Sequence, residues 1–331
     1  MPDLSVVLAG IELKNPVIAG SGEATATADA IRAALDAGAG AVVAKSANES
    51  EAARQQLRTA EYVLVDERHE TRPLGPAQRA DSLFCRSGLL DTAWDEWVAT
   101  LTALDGDAKA RDAYVVPSLI VSDVDEAVRH ASELEDAGLR WLELNVAAPH
   151  AGEVLAGAIL TGTELVAPIR AAVAISLTVK VGGADPVAAA REAFEAGADI
   201  VCLTTRAQGF LPDLRTRRPV LGTFGAIGGA WALPITLRHV AKARAELGPT
   251  KPLIATNGAR DGRDVARCLL AGASAVALTS AVITDGVDVL TRAVDELQTY
   301  VDEQGIAARE LIGEAADSVK TYEEVAMGRS G

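Results

Sequence analysis

Short apolar runs recur along the chain, each entered through Ala-Gly at the end of an amphipathic stretch. DAGAGAVVAKS ends at Ser46, DAGLRWLELN at Asn145, EAGADIVCLTT at Thr205 and LAGASAVALTS at Ser280. Each Gly fits the left-handed position that closes a helix, so the Val, Ile and Leu residues after it are predicted to form a buried parallel strand. Seven residues on from Gly38, Gly138, Gly197 and Gly272 stand Lys45, Asn145, Thr204 and Thr279, four polar side chains at one C-terminal strand edge. Further strands are predicted at Pro16–Gly20, Tyr114–Ile120, Leu177–Val181 and Leu253–Thr256, with helical periodicity over Asp125–Ala137, Pro186–Ala196 and Arg263–Leu270. Strand and helix alternate without a polar linker, which predicts an α/β fold of the (β/α)8 TIM-barrel type, one domain over residues 1–331, with an open doubly wound sheet as the alternative. Residues 4–15 are expected to form a hairpin capping the barrel bottom. Residues 47–112 form a long insertion after the second strand, over the active-site face, carrying Trp94 and Trp97 at helical spacing. Residues 302–331 are expected to form a C-terminal helical tail. A barrel puts its chemistry at the C-terminal strand edge, where Lys45, Asn145, Lys180, Thr204, Asn257 and Thr279 fall.

Composition sharpens this picture. Over 331 residues, 31 Lys and Arg stand against 46 Asp and Glu, a net charge of −15 that argues against nucleic-acid binding. The three cysteines, Cys85, Cys202 and Cys268, show no pairing or metal-ligand spacing, so no metal is expected and a reduced, cytoplasmic protein is. No export or membrane-spanning segment is expected.

Candidate chemistry comes from strand ends. Gly20-Ser21-Gly22 follows a strand, but Thr25 stands where a dinucleotide fingerprint has its third Gly or Ala. Gly228-Gly229, Asn257-Gly258 and Thr279-Ser280 are three small-residue turns in the second half of a barrel, where backbone N–H groups hold phosphate; each alone is also an ordinary turn. Lys45 and Lys180 end apolar strands, where a cation either faces an anion or electron-rich ring or snorkels to solvent.

Those residues carry a family resemblance. NPVIAGSG, VVAKS, SLIVSDVDEAVRHASELEDAGLRWLELNVAAPH, LTVKV, GAIGGAWALPITLRHV and LIATNGARDGRDVARCLLAGASAVALTSA occur in the order found in the class 1 dihydroorotate dehydrogenases. The chain resembles that family from about Leu4 to Ala281. The resemblance implies an FMN-binding (β/α)8 barrel in which hydride passes from a dihydropyrimidine to flavin N5. It assigns flavin contacts to Ser21, Lys45, Ser46, Asn145, Lys180, Leu203, Gly229, Asn257, Gly258, Thr279 and Ser280, the turns holding the FMN phosphate. Asn257-Gly258 replaces the family's Gly-Gly, and Thr279-Ser280 its Gly-Thr.

The substrate side departs further. The family's Asn-Leu-Ser-Cys-Pro-Asn, whose Cys or Ser is the base, reads Asn145-Val146-Ala147-Ala148-Pro149-His150 here. Ala148 cannot take a proton. Against the family's orotate-binding asparagines stand Cys85, His150 and Thr204. His150 either replaces the base or fills the pocket and hydrogen-bonds the substrate. His69, His130 and His239 have weaker claims, and Arg72, Arg79 and Arg86 are possible receivers of an anionic substrate. The expectation is an FMN-dependent oxidoreductase with catalytic His150 and Lys45 and a substrate site of Cys85, Asn145, His150 and Thr204. Its substrate would be dihydropyrimidine-like, or another small molecule with an activated C–C or C=C bond, and not standard dihydroorotate. A flavin-free barrel lyase or isomerase with a phosphorylated substrate, or a non-catalytic FMN-binding paralogue, is the alternative. The resemblance implies a homodimer; the electron acceptor stays open.

Overall fold

The computed structural model describes residues 3–48, 55, 58, 60–121, 123–147 and 162–328. The chain opens with an antiparallel pair, β1 (Val6–Leu8) and β2 (Ile11–Leu13), turned at Ala9 and Gly10, both with positive φ. Then come β3 (Val17–Ala19), α1 (Ala28–Asp36) and β4 (Ala41–Val43). A first excursion follows, with β5 (Glu61–Val65), β6 (Thr71–Pro73) and β7 (Ser82–Arg86), before α2 (Trp94–Lys109) packs beside α1. The alternation resumes with β8 (Tyr114–Val116), β9 (Ser118–Leu119), α3 (Val124–Asp136), β10 (Trp141–Asn145), α4 (Gly162–Ala172), β11 (Ser176–Val181), α5 (Pro186–Glu195) and β12 (Ile200–Leu203). A second excursion holds β13 (Ala207–Gly209), β14 (Pro212–Asp213), β15 (Arg218–Pro219) and β16 (Gly225–Gly229). It leads to α6 (Leu233–Leu247), β17 (Leu253–Thr256), α7 (Gly262–Leu270), β18 (Ala275–Leu278), α8 (Ser280–Asp285) and α9 (Asp288–Gln304). No helix among the described residues is long and apolar enough to cross a membrane.

The parallel strands run in the order β8-β4-β3-β18-β17-β12-β11-β10-β9. The two ends of that order are one strand interrupted at Pro117. Proline has no amide hydrogen to give the ladder, but its carbonyl accepts from Glu143 N at 2.8 Å and carries the ring round. The chain is therefore an α/β TIM barrel, and the open-sheet alternative falls because β8 and β9 leave no edge.

Local chemistry explains why these elements form. Helices start on side-chain caps, with Thr27, Asp123, Asp185 and Asp261 accepting from first-turn N–H groups. Four end on the predicted glycines, with φ of 92° at Gly38, 86° at Gly138 and 107° at Gly197 and Gly272. Strands β3, β4, β12, β17 and β18 are buried at every position, which is why their sequences are apolar runs apart from Thr256 at the end of β17.

The two excursions meet. Strands β13, β16, β7, β5 and β6 form one antiparallel sheet, so residues 61–86 and 207–229 share a wall beside the barrel. The sequence pattern gave no sign of the second excursion. Phe84, Val65 and Leu221 form the wall's own small core, and Gly225 leaves room for the Phe84 ring, since a Cβ there would lie 2.5 Å from it. After α9 the chain is tied back, with Ala308 N donating to Asp3 O at 2.9 Å and Arg244 paired to Asp317 at 2.7 Å.

Helices α7 and α9 cross at Gly262, where a Cβ would stand 2.4 Å from Leu297 N and 2.5 Å from Ala293 O. Backbone on the far side cannot give way, so Gly262→Ala is expected to destabilise the fold by about 1–3 kcal/mol. Gly106 is exposed inside α2 with open space around it, and Gly106→Ala is expected to stabilise by about 0.4–1 kcal/mol. Urea denaturation of the two variants against the parent checks both signs; equal shifts would refute the crossing argument.

Candidate active site

At the C-terminal ends of the barrel strands lies a cavity of about 860 Å³, a size suited to a drug- or cofactor-sized ligand. The helix-ending glycines aim residues at it, and Lys45, Asn145, Thr204 and Thr279 all line it. Ser21, Ser46, Lys180, Asn257, Gly258 and Ser280 join them. Leu203 and Gly229, expected beside a flavin, are buried in β12 and β16 and are not part of the lining. Cys85 is fully buried in the wall sheet, in register with Tyr62 and Ala226, and does not line the cavity either. His150 and Ala148 lie outside the described residues.

The remaining candidates divide. His239 lines the cavity, whereas His69 sits in the exposed turn between β5 and β6 and His130 stacks on Trp94 at 3.9 Å. Arg72 pairs with Asp81, Arg79 with Asp261 and Asp264, and Arg86 with Glu61; none of the three lines the cavity.

Lys45 is buried and its ammonium lies 2.9 Å from Glu23 Oε1. Glu23 follows the Gly20-Ser21-Gly22 turn, and its second oxygen takes the Tyr62 hydroxyl, while Gly88 N donates to Oε1 at 3.3 Å. Burial alone would push the Glu23 carboxyl up, but Lys45, Tyr62 and Arg206 overcome it and hold it below the ordinary carboxylate range. Burial draws the Lys45 ammonium below its ordinary range and Arg206 adds to this, with Glu23 opposing both. Burial pushes the Cys85 thiol and the Tyr62 phenol up, so both are neutral and Cys85 is no thiolate nucleophile. Lys180 faces Asn145 on one neighbouring strand and Cys202 on the other, and makes no ion pair among the described residues. From the lining residues Ser21 and Ser46 a hydroxyl chain runs back to the buried Ser118, with steps of 3.3 and 2.8 Å, ending 2.8 Å from Glu143 Oε1.

The backbone is strained where the turns gather. Thr204 and Asn257 have φ of 67° and 74°, and a β-branched residue in that region is a true outlier. Side chains hold both in place. Thr204 Oγ1 donates to Thr256 O, Thr236 Oγ1 to Asn257 O at 2.8 Å, and Asn257 Nδ2 to Thr205 O at 2.9 Å. The Thr204 hydroxyl is therefore spent on the frame.

Four buried polar atoms of lining residues have no hydrogen-bond partner among the described residues: Arg206 Nη1, His239 Nδ1, Asn257 Oδ1 and Thr279 Oγ1. The two oxygens stand at the strand-end turns. Glycines face both. A Cβ on Gly228 would stand 2.6 Å from Asn257 Oδ1, and one on Gly20 2.1 Å from Thr279 Oγ1. Orphaned polar atoms, close-approach glycines and a helix starting at Ser280 fit a phosphorylated planar cofactor such as FMN. Sequence patterns missed Glu23, Tyr62 and Arg206. Glu23 and Arg206 do follow strand-end turns directly, which is the signal that was available.

Comparison with known proteins agrees with this geometry. The family model described as dihydroorotate dehydrogenase matches residues 76–301. The chain is 30% identical over 324 residues to the catalytic subunit of dihydroorotate dehydrogenase B (NAD(+)) of Desulforudis audaxviator, covering 94% of this chain and 97% of that one. It is 26% identical over 325 residues to the protein of the same description from Thermoplasma acidophilum, covering 95% and 99%. With that of Methanopyrus kandleri it shares 34% over 183 residues, 52% of this chain and 58% of the relative. The chain belongs to the dihydroorotate dehydrogenase family, flavin-dependent oxidoreductases acting on CH–CH groups with FMN as cofactor.

Proposed function

We propose that the protein moves a hydride between FMN and a small dihydropyrimidine-like ring whose contacts differ from those of dihydroorotate. The observation that carries this is the cavity itself, where Lys45, Asn145 and Lys180 meet the orphaned Asn257 Oδ1 and Thr279 Oγ1. When bound, FMN supplies the two-electron acceptor or donor for the C–H hydride. The turns at Asn257-Gly258 and Thr279-Ser280 hold its phosphate through backbone N–H groups. Lys180, without an ion pair among the described residues, stabilises negative charge near the cofactor. Lys45 holds its place through Glu23, and Asn145 fixes the start of the following loop by accepting from Ala147 N at 3.1 Å.

Oxidation of the ring removes a hydride from one carbon and a proton from its neighbour, leaving a C=C bond. We assign the proton to His150, because Ala148 has no atom to accept it. Two changes support an altered ring. Thr204 spends its hydroxyl on Thr256, and Cys85 is fully buried beside Glu23, Lys45 and Arg206, outside the cavity lining. We further place the protein in the cytoplasm as a homodimer. An electron-transfer partner subunit is supported by the relatives described as catalytic subunits.

The purified protein is expected to show flavin absorption bands that bleach anaerobically with a dihydropyrimidine other than dihydroorotate faster than with dihydroorotate itself. His150→Ala is expected to slow bleaching by roughly 10²–10⁴-fold at unchanged flavin content. A colourless protein that cannot be reconstituted overturns the proposal. Rapid bleaching by dihydroorotate that His150→Ala leaves untouched overturns the altered substrate and the assigned base.

Lys45→Met would leave the Glu23 carboxylate buried without its cation, and is expected to cost about 3–5 kcal/mol in urea denaturation of the flavin-loaded protein. The double variant Glu23→Gln/Lys45→Met should recover most of that loss. Additive losses would show that the two charges do not depend on each other.

A further inference from the structure

Arg206 is a cation of the cavity that the proposed reaction leaves unused. It follows β12, lines the cavity and reaches the wall sheet, with its guanidinium 6.0 Å from the centre of the Tyr62 ring. Gly228 makes room for its stem, since a Cβ there would stand 2.8 Å from Arg206 Cγ. Its Nη1 is buried and has no hydrogen-bond partner among the described residues.

The neighbouring groups do not neutralise it. Around the guanidinium stand Glu23, Lys45, Tyr62 and Cys85. Tyr62 and Cys85 are held neutral by burial. Glu23 is the only carboxylate of this group, and its oxygens already take Lys45 Nζ, Gly88 N and the Tyr62 hydroxyl. Glu23 is committed to Lys45, and Arg206 forms no ion pair of its own among the described residues although its Nη1 is buried. A buried charge left so is costly until an anion fills the site.

We propose that Arg206 receives a carboxylate carried by the substrate ring and so determines substrate specificity. A guanidinium suits this task because its planar fork binds a carboxylate through two parallel N–H donors. Glu23 acts as a positioning residue: by pairing with Lys45 it leaves Arg206 as the cation of the cluster that is open to an anion. The altered contact at Thr204 concerns the ring and is independent of this group. The inference rests on the cavity being the substrate site of the proposed oxidoreductase.

The test is calorimetric titration of the protein as purified with orotate and with uracil, which share a ring and differ in the carboxylate. Heat of binding reports affinity without turnover. The parent is expected to prefer orotate by roughly 30-fold or more. Arg206→Gln should reduce that preference to near unity, with Arg206→Lys restoring part of it. Glu23→Gln should strengthen orotate binding, because it removes a negative charge and frees Lys45; a merely structural role for the cluster would weaken binding in both Gln variants. Flavin content and thermal denaturation confirm that each variant folds. A parent without preference for orotate, an Arg206→Gln variant that keeps it, or one that loses flavin while keeping it, overturns the proposal. A flavin-free protein that still shows the Arg206-dependent preference would sink the oxidoreductase assignment and leave the carboxylate site standing.

Discussion

A helix that ends on a left-handed glycine gives its last carbonyls to the backbone N–H groups just beyond and turns the chain sharply toward the sheet. Four barrel helices end this way. Ala39, Leu139, Ala198 and Ala273 each follow the glycine and donate to the carbonyl five residues back, at 3.3, 3.1, 3.0 and 3.0 Å. Equal closures fix equal distances from glycine to strand end. The residue seven positions on is therefore at the rim in every case, as Lys45, Asn145, Thr204 and Thr279 are. The rim chemistry depends on this constraint more than on any tertiary contact, because moving one closure by a residue would put an apolar side chain in the cavity and a polar one in the core.

The second layer of the site is electrostatic and is not set by the barrel alone. Lys45 comes from the barrel, Glu23 from the turn after the first strand, Arg206 from the sixth strand's end, and Tyr62 from the wall. The wall brings Tyr62 to Glu23 only because β5 pairs with β7, and β7 with β16, across more than a hundred residues of sequence. Two excursions from different barrel strands thus build one sheet, and that sheet shields the charged cluster from water. Shielding strengthens each interaction inside it and raises the cost of any charge left without a partner.

This division explains what the sequence made legible. The closures, the strands and the polar rim all follow from short-range rules, and Gly38, Gly138, Gly197 and Gly272 announce themselves by position. The family resemblance carried further, to Asn257, Gly258 and Ser280, which do line the cavity. It assigned Leu203 and Gly229 a flavin contact as well; both are buried, and neither is among the lining residues. The excursion at residues 207–229 stayed hidden because its strands are two to five residues long and are rich in Gly and Pro, with no apolar alternation. With it stayed hidden the role of Arg206, whose neighbours Glu23 and Tyr62 are far away in sequence. Cys85 illustrates the same limit, since its burial follows from register with Ala226 and from no local pattern.

The strain at the rim has a chemical consequence. Holding Thr204 and Asn257 at positive φ costs about 1–3 kcal/mol each, and the Thr204, Thr236 and Asn257 side chains offset it with hydrogen bonds across β12, α6 and β17. Asn257 gives its amide N–H to Thr205 O in doing so. That bond fixes the orientation of the carboxamide, because a flipped group would set oxygen against oxygen. Oδ1 is then the atom left over, an acceptor beside Gly228 with no partner among the described residues. An acceptor repels phosphate oxygens and draws an N–H or O–H donor. On the proposed reading, a phosphate at this turn is held by backbone N–H groups, while the side chain takes a donor on the ligand. The glycine beside it is what lets such a donor come close enough to bond.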